Sequence, residues 1–118
     1  VRVCKGMKRM LEAGVNPNRM TISSDGQGSL PMYSKDGEFL GMGVGQSSCL
    51  LKEVKECVFK ADIPLEIALS TITSNPAEIL RLNGKGKIEE GYDADLCILD
   101  QDLQLVEVIA RGKTVYTK

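Results

Sequence analysis

The sequence has no histidine among its 118 residues, no tryptophan and few other aromatic side chains. Histidine is the commonest general base and the commonest metal ligand, so a His-based mechanism or metal centre cannot be built from this chain alone. An aromatic share of 4% means that the core must rest on Ile, Leu, Val and Met. Any metal-dependent or His-based mechanism would therefore need residues from outside this chain.

Other absences limit the class of protein and the partners that the sequence predicts. No apolar run approaches the roughly 20 residues that cross a bilayer, and the N-terminus lacks a signal-peptide pattern. A net charge of −1 gives no reason to expect a nucleic-acid or membrane partner. The four cysteines form no Cys-x-x-Cys pair, which disfavours a zinc ribbon and favours small buried thiols in a reducing cytoplasm: Cys4, Cys49, Cys57 and Cys97. We therefore predict a cytoplasmic protein.

A chain of 118 residues suits one small domain of roughly 100–150 residues and is too short for a (β/α)₈ barrel of about 250. It begins at Val1 rather than Met, which suggests a segment of a longer protein. Apolar spacing predicts helices and β-branched runs predict strands. The helices are expected over 5–13, 46–60, 64–73 and 76–82, and the strands over 20–24, 94–99, 103–111 and 114–116.

The stretch of greatest chemical interest runs from Met20 to Pro31, where the predicted strand ends on Asp25. An Asp-Gly pair is a common hairpin turn. The alternative is a functional carboxylate, because catalytic groups collect at the carboxyl ends of barrel strands. Residues 25–45 are predicted to be a long glycine-rich loop, with a turn at 35–38 that fits a small hairpin. Loops of this length are usually functional or disordered.

Three further features have simple interpretations. Ser29 can offer a hydroxyl to a substrate, but no base stands beside it in the sequence to make it a nucleophile. Asp93 and Asp95 alternate with apolar residues near a turn, which indicates solvated turn carboxylates rather than metal ligands. Asn75 followed by Pro76 is typical of a helix start, with Asn75 as the N-cap.

Two stretches resemble a known family. The tail Asn75-Pro-Ala … Gly84-Lys-Gly-Lys-Ile88 … Gly91-Tyr-Asp-Ala-Asp-Leu-Cys-Ile-Leu-Asp100 resembles the C-terminal signature of the metal-dependent amidohydrolase superfamily. The stretch Thr21-Ile-Ser-Ser-Asp-Gly-Gln-Gly-Ser29 is similar to the strand-8 segment of the bacterial isoaspartyl dipeptidases (β-aspartyl peptidases). The resemblance implies an α/β chain. Residues 1–83 would be the last units of a (β/α)₈ barrel, with an active-site loop at 25–45, and residues 84–118 would be strands of a small β-sandwich.

The resemblance also implies roles. Asp25 would be a ligand in a two-zinc site and the carrier of the proton from the attacking water to the leaving amine. Ser29 would contact the dipeptide substrate, and Gly26 and Gly28 would shape the loop that admits it. The family's histidines and carboxylated lysine lie outside this stretch. We therefore expect a C-terminal fragment of a zinc-dependent isoaspartyl dipeptidase, which alone binds no catalytic metal and is inactive.

Two alternatives stay open. The chain could come from another amidohydrolase, such as a dihydroorotase, a hydantoinase or an amino-sugar deacetylase. It could also be a non-catalytic binding or assembly module. The partners expected are a small dipeptide substrate, with no nucleic acid and no membrane, and further copies of the chain. Homo-oligomer formation is expected through the apolar stripes of residues 5–13 and 46–60.

Overall fold

The computed structural model describes residues 2–118, so Val1, the first position of the predicted barrel portion, lies outside the described residues. The fold class is α/β, as predicted. None of the helices in the described range is both long and apolar enough to cross a bilayer. The elements in chain order are α1 (Val3–Glu12), a 3₁₀ turn (Pro17–Arg19), β1 (Ser29–Tyr33), β2 (Phe39–Val44), α2 (Cys49–Ala61), α3 (Leu65–Ser70), α4 (Ser74–Ile79), β3 (Leu96–Leu99), β4 (Leu105–Ala110) and β5 (Lys113–Thr117).

The core lies where α1 and α2 pack together, and α3 covers it. Val54 and Cys57 are fully buried there, and each apolar side chain of this size contributes roughly 1.5–3 kcal/mol when buried. The apolar stripes of residues 5–13 and 46–60 therefore bury part of one another within the chain. That they also mediate self-association stays a prediction. The core cluster consists of Cys4, Met7, Met20, Val54, Cys57, Ala61, Ile63 and Ala68.

The cysteines divide into two groups. Cys4 and Cys57 are buried, as predicted, whereas Cys49 is half-buried and Cys97 is exposed. Burial raises the pKa of the Cys57 thiol to about 11, with the neighbouring Cys4 adding to the effect. Cys97 lies on β3, where its neighbour Ile98 is exposed as well. The prediction of buried thiols is therefore wrong for Cys97.

Residues 20–24, predicted as a strand, are extended but belong to no sheet in the described range. The segment is joined to a distant part of the same chain by a backbone hydrogen bond, in which the Ile22 N–H donates to the Thr71 carbonyl at 3.1 Å. A strand needs a neighbouring strand for its ladder, and residues 2–118 supply none here. The prediction of a strand at residues 20–24 is therefore wrong for the described residues, because the segment pairs with no other strand.

Residues 25–45, predicted as a loop with a small hairpin around 35–38, contain an antiparallel hairpin of β1 and β2, which is longer than predicted. The Ser34 side chain organises its turn by accepting from the N–H groups of Asp36 at 3.2 Å and Glu38 at 3.1 Å. Proline is disfavoured inside a sheet, but both strands of a two-stranded sheet are edges, where Pro31 is tolerated. Most apolar side chains of the hairpin are exposed: Leu30, Met32, Tyr33, Phe39, Leu40, Met42 and Val44.

The C-terminal residues form an antiparallel sheet in the order β3-β4-β5. Its strands lie within the three predicted there, except that β5 extends to Lys113 and Thr117. Lys85 pairs with Asp93 at 2.8 Å and also with Asp95. Asp95 in addition accepts from the Arg111 N–H at 2.8 Å. Both carboxylates are exposed, as predicted. They also tie the segment before β3 to the turn between β4 and β5.

Candidate functional site

Asp25 stands at the end of the extended segment, which the α3–α4 corner holds in place. The Asn75 side-chain amide donates to the carbonyls of Pro17 and Met20, each at 2.8 Å. Asn75 is 2% exposed, so these bonds are shielded from water. Asn75 is the second residue of α4 rather than its N-cap, which is Thr73. The predicted capping role is therefore wrong, and the side chain instead fixes the segment that leads to Asp25.

The backbone turns sharply at Asp25. Asp25 has φ 47° and Gln27 has φ 68°, a left-handed conformation that non-glycine residues seldom adopt. The Gly28 N–H closes the turn by donating to the Asp25 carbonyl at 2.8 Å, and the Ser23 hydroxyl accepts from the Asp25 N–H at 3.3 Å. Such strain persists where the surroundings enforce it, and it is common at functional sites.

Two glycines approach Asp25 closely. A Cβ atom at Gly28 would lie 2.5 Å from the Oδ2 atom of Asp25, so the carboxylate rests over the Gly28 backbone. A Cβ atom at Gly45 would meet the Asp25 carbonyl oxygen. Gly26 is less restricted, since its Cβ atom would lie 3.3 Å from the Ser24 hydroxyl. The glycines of this stretch thus permit close packing around Asp25, and the predicted role of Gly26 and Gly28 in admitting a substrate stays a prediction.

Ser29 is the first residue of β1 and lies opposite Val44, with both side chains exposed. The four predicted site residues therefore occupy one turn and the start of one strand: Asp25, Gly26, Gly28 and Ser29. This turn presents an exposed carboxylate, which can bind a cation or accept a proton, and a nearby hydroxyl, which can hydrogen-bond to a substrate. Nothing in these contacts makes Ser29 a nucleophile.

Zinc sites in proteins draw on three or four protein ligands. In the described part of the chain, no group of three or more His, Cys, Asp or Glu side chains converges in a way that could hold a metal ion. Asp25 offers one carboxylate. Residues 2–118 by themselves therefore do not fit a two-zinc centre.

Away from the Asp25 turn, a concave region lies between α2, α3 and the C-terminal sheet. It is a groove of about 610 Å³ with a mainly apolar lining that includes Leu51, Leu69 and Leu96. It contains none of the predicted site residues, and it separates the helices from the sheet. The Asp25 turn is therefore an exposed surface feature rather than the floor of this groove.

Sequence reasoning missed three residues that build the site. Asn75 and Thr71 hold the segment before Asp25, and Gly45 packs against Asp25 itself. Gly45 belongs to the stretch 25–45, which the sequence predicted as a glycine-rich loop, so its packing against Asp25 was not expected. The contacts of Asn75 span 55 and 58 positions of sequence, and no local pattern indicates them.

Comparison with known proteins matches residues 2–115 to the amidohydrolase family. Among solved structures, the β-aspartyl dipeptidase of Fervidobacterium islandicum AW-1 in complex with β-Asp-Leu dipeptide is 36% identical. It matches 98% of this chain with a TM-score of 0.82, and this chain covers 29% of it. A dihydroorotase of Endomicrobium trichonymphae is 40% identical over 48% of this chain and 14% of its own length. An N-acetylglucosamine-6-phosphate deacetylase of Lysinibacillus sphaericus is 32% identical over 73% of this chain and 23% of its own. The chain thus spans less than a third of each of these relatives.

Proposed function

This chain belongs to the amidohydrolase family, and we propose that it is the C-terminal part of a metal-dependent β-aspartyl (isoaspartyl) dipeptidase. The supporting observation is the 36% identity that extends over 98% of the chain to a β-aspartyl dipeptidase. That similarity includes the Asp25 turn and the hairpin, because it covers almost every residue. The proposed reaction is hydrolysis of the isopeptide bond in β-aspartyl dipeptides.

In this proposal Asp25 supplies the reacting carboxylate. It accepts the proton of the attacking water and returns it to the leaving amine, a task suited to an exposed carboxylate on a fixed turn. Ser29 hydrogen-bonds to the dipeptide, while Gly26 and Gly28 leave room for it. Asp25 is also the one ligand that this chain contributes to the proposed zinc site. The remaining ligands come from outside residues 2–118, so we propose that the isolated chain is inactive.

A second candidate is another amidohydrolase activity. The dihydroorotase and deacetylase relatives favour it, because they are 40% and 32% identical over the parts that match. These matches cover 48% and 73% of the chain, against 98% for the dipeptidase structure. The identity over that breadth makes the dipeptidase the primary proposal, since a deacetylase structure that also matches 98% of the chain is 18% identical, against 36% for the dipeptidase.

The test is a substrate comparison with the full-length protein that contains this chain. Its zinc-loaded form is given β-Asp-Leu, α-Asp-Leu, dihydroorotate and N-acetylglucosamine 6-phosphate in parallel. Hydrolysis of β-Asp-Leu with little turnover of the other three is the expected result. Turnover of dihydroorotate or the amino sugar in its place would establish the second candidate. Zinc-dependent hydrolysis of β-Asp-Leu by the isolated chain would overturn the proposal that the chain alone is inactive.

The homo-oligomer also stays a proposal, and the β1–β2 hairpin offers a second candidate surface beside the predicted stripes. The hairpin carries exposed large apolar side chains on both strands, among them Tyr33, Phe39 and Leu40 at 59–64% exposure. Tyr33 and Phe39 pack edge to face with ring centroids 5.9 Å apart. Exposed apolar patches of this kind favour association, and sedimentation of the full-length protein would measure it.

A further inference from the structure

The end of β2 and the Asp25 turn meet at one residue, Gly45. Its carbonyl accepts from the Gln27 N–H at 2.9 Å, and its N–H donates to the Gly28 carbonyl at 2.8 Å. Gly45 is buried, although its neighbours Val44 and Gln46 are exposed. The left-handed turn at Asp25 is therefore bonded to the hairpin from both sides of Gly45.

Gly45 has no room for a side chain. A Cβ atom there would collide with the Asp25 carbonyl oxygen and would lie 3.1 Å from the Asp25 carbonyl carbon and from the Ser24 carbonyl oxygen. All three are backbone atoms of the turn, which cannot rotate away as a side-chain end can. The φ angle of Gly45 lies outside the left-handed region, so alanine is excluded by these contacts and not by backbone conformation. A methyl group at this position must displace the backbone of Asp25.

We infer that Gly45 is a positioning residue for Asp25, acting through the backbone of the turn, and that the β1–β2 hairpin sets the location of the reacting carboxylate. The inference rests on the proposed function, because it takes Asp25 as the reacting group. Small displacements of a reacting group are costly, since a shift of about 1 Å can lower a rate by about 100-fold.

Gly43 provides the matched control. It lies two residues earlier on β2, and its φ angle also lies outside the left-handed region. A Cβ atom there would lie 3.1 Å from the Met32 Sδ atom, which belongs to a flexible side chain able to move aside. Gly43→Ala therefore makes the same chemical change in the same strand without touching Asp25.

The first experiment measures steady-state hydrolysis of β-Asp-Leu by the full-length protein. For Gly45→Ala we expect kcat to fall about 100-fold, with KM changed less than about threefold. For Gly43→Ala we expect both constants to stay within about threefold of the wild type. The inference is overturned if Gly45→Ala keeps its kcat, or if the two variants lose the same amount.

The second experiment does not depend on catalysis. Hydrogen exchange in the full-length protein reports on the Gln27 and residue-45 amides, which form the bonds between the turn and the hairpin. We expect both amides to exchange at least about tenfold faster in Gly45→Ala than in the wild type or Gly43→Ala. Unchanged protection in Gly45→Ala would refute the positioning role. Absence of β-Asp-Leu turnover in the wild type would instead refute the proposed function, and the exchange result would still decide whether Gly45 holds the turn.

Discussion

Replacing Asn75 by alanine removes a buried amide that joins two distant parts of the chain. The amide donates to the carbonyls of Pro17 and Met20 at 2.8 Å each. The Met20 carbonyl belongs to a residue that is 5% exposed, so it has little access to water once this donor is gone. The Pro17 carbonyl keeps a second partner, the Met20 N–H at 3.2 Å.

The size of the effect follows from these contacts. Each lost hydrogen bond contributes about 0.5–1.5 kcal/mol net, and a buried carbonyl left without a donor costs about 1–3 kcal/mol. Since one of the two carbonyls is left in that state, we expect Asn75→Ala to lower the free energy of unfolding by about 2–4 kcal/mol. That is a large part of the 5–15 kcal/mol typical of a native protein.

Urea denaturation followed by circular dichroism measures this change, with Asn83→Ala as the control. Asn83 is an exposed asparagine just beyond α4, and exposed substitutions of this kind usually change stability by less than about 0.5 kcal/mol. Asn75→Asp should be at least as damaging as Asn75→Ala, because a carboxylate would face two carbonyl oxygens. A loss for Asn75→Ala no larger than that for Asn83→Ala would refute the tethering role.

Three further predictions concern other parts of the molecule. Gly86→Ala places a Cβ atom 2.6 Å from the Ala77 Cβ and 2.8 Å from the Thr73 carbonyl oxygen at a φ of 82°. We expect a loss of about 2–4 kcal/mol in urea denaturation, whereas Gly84→Ala, with a φ of 72° and open space around it, should lose only about 1 kcal/mol; equal losses would contradict the steric argument. The hydrogen bonds from Lys85 and from the Arg111 N–H hold the pKa of Asp95 below its ordinary value of 3.8. The stabilisation is therefore complete above that value and is lost as the pH falls through the lower folded pKa, and Lys85→Met should raise the pKa of Asp95 in a carboxyl NMR titration. In the folded chain at pH 8, iodoacetamide should label exposed Cys97 well before Cys57, because burial raises the pKa of the Cys57 thiol to about 11; mass spectrometry showing equal labelling would contradict this.

Elements defined by local periodicity were predictable from the sequence. The amphipathic pattern located α2, and the β-branched runs located β3, β4 and β5, because each pattern reflects burial on one face. A glycine just past the end of a helical pattern is a local stop signal, and Gly14 beyond α1 has φ 85°, with the Val15 N–H donating to the Met10 carbonyl at 3.0 Å. Asp25 was identified as the end of an extended segment for the same local reasons.

Features that depend on distant contacts were not predictable. The pairing of residues 20–24 depends on neighbours that no local pattern describes. The turn at 35–38 indicated a small hairpin, but the extent of its strands was not predictable, because Pro31 and three glycines weaken the alternation that indicates a strand. The Asn75-Pro76 pair favoured a capping role, whereas tertiary contacts recruited the amide for Met20 and Pro17. The role of Gly45 depends on its contacts with the Asp25 turn, which lies about 20 positions earlier and which no local pattern relates to residue 45.

The most direct test of the account is the kcat of Asp25→Asn for β-Asp-Leu in the full-length protein. The amide keeps the shape of the carboxylate but cannot carry the proton, and general acid–base groups contribute about 10²–10⁴-fold. Asp36→Asn, an exposed aspartate at the hairpin turn, is the control. The account predicts a wild type that hydrolyses β-Asp-Leu, a loss of at least about 100-fold for Asp25→Asn, and little change for Asp36→Asn. A wild-type rate retained by Asp25→Asn would contradict it.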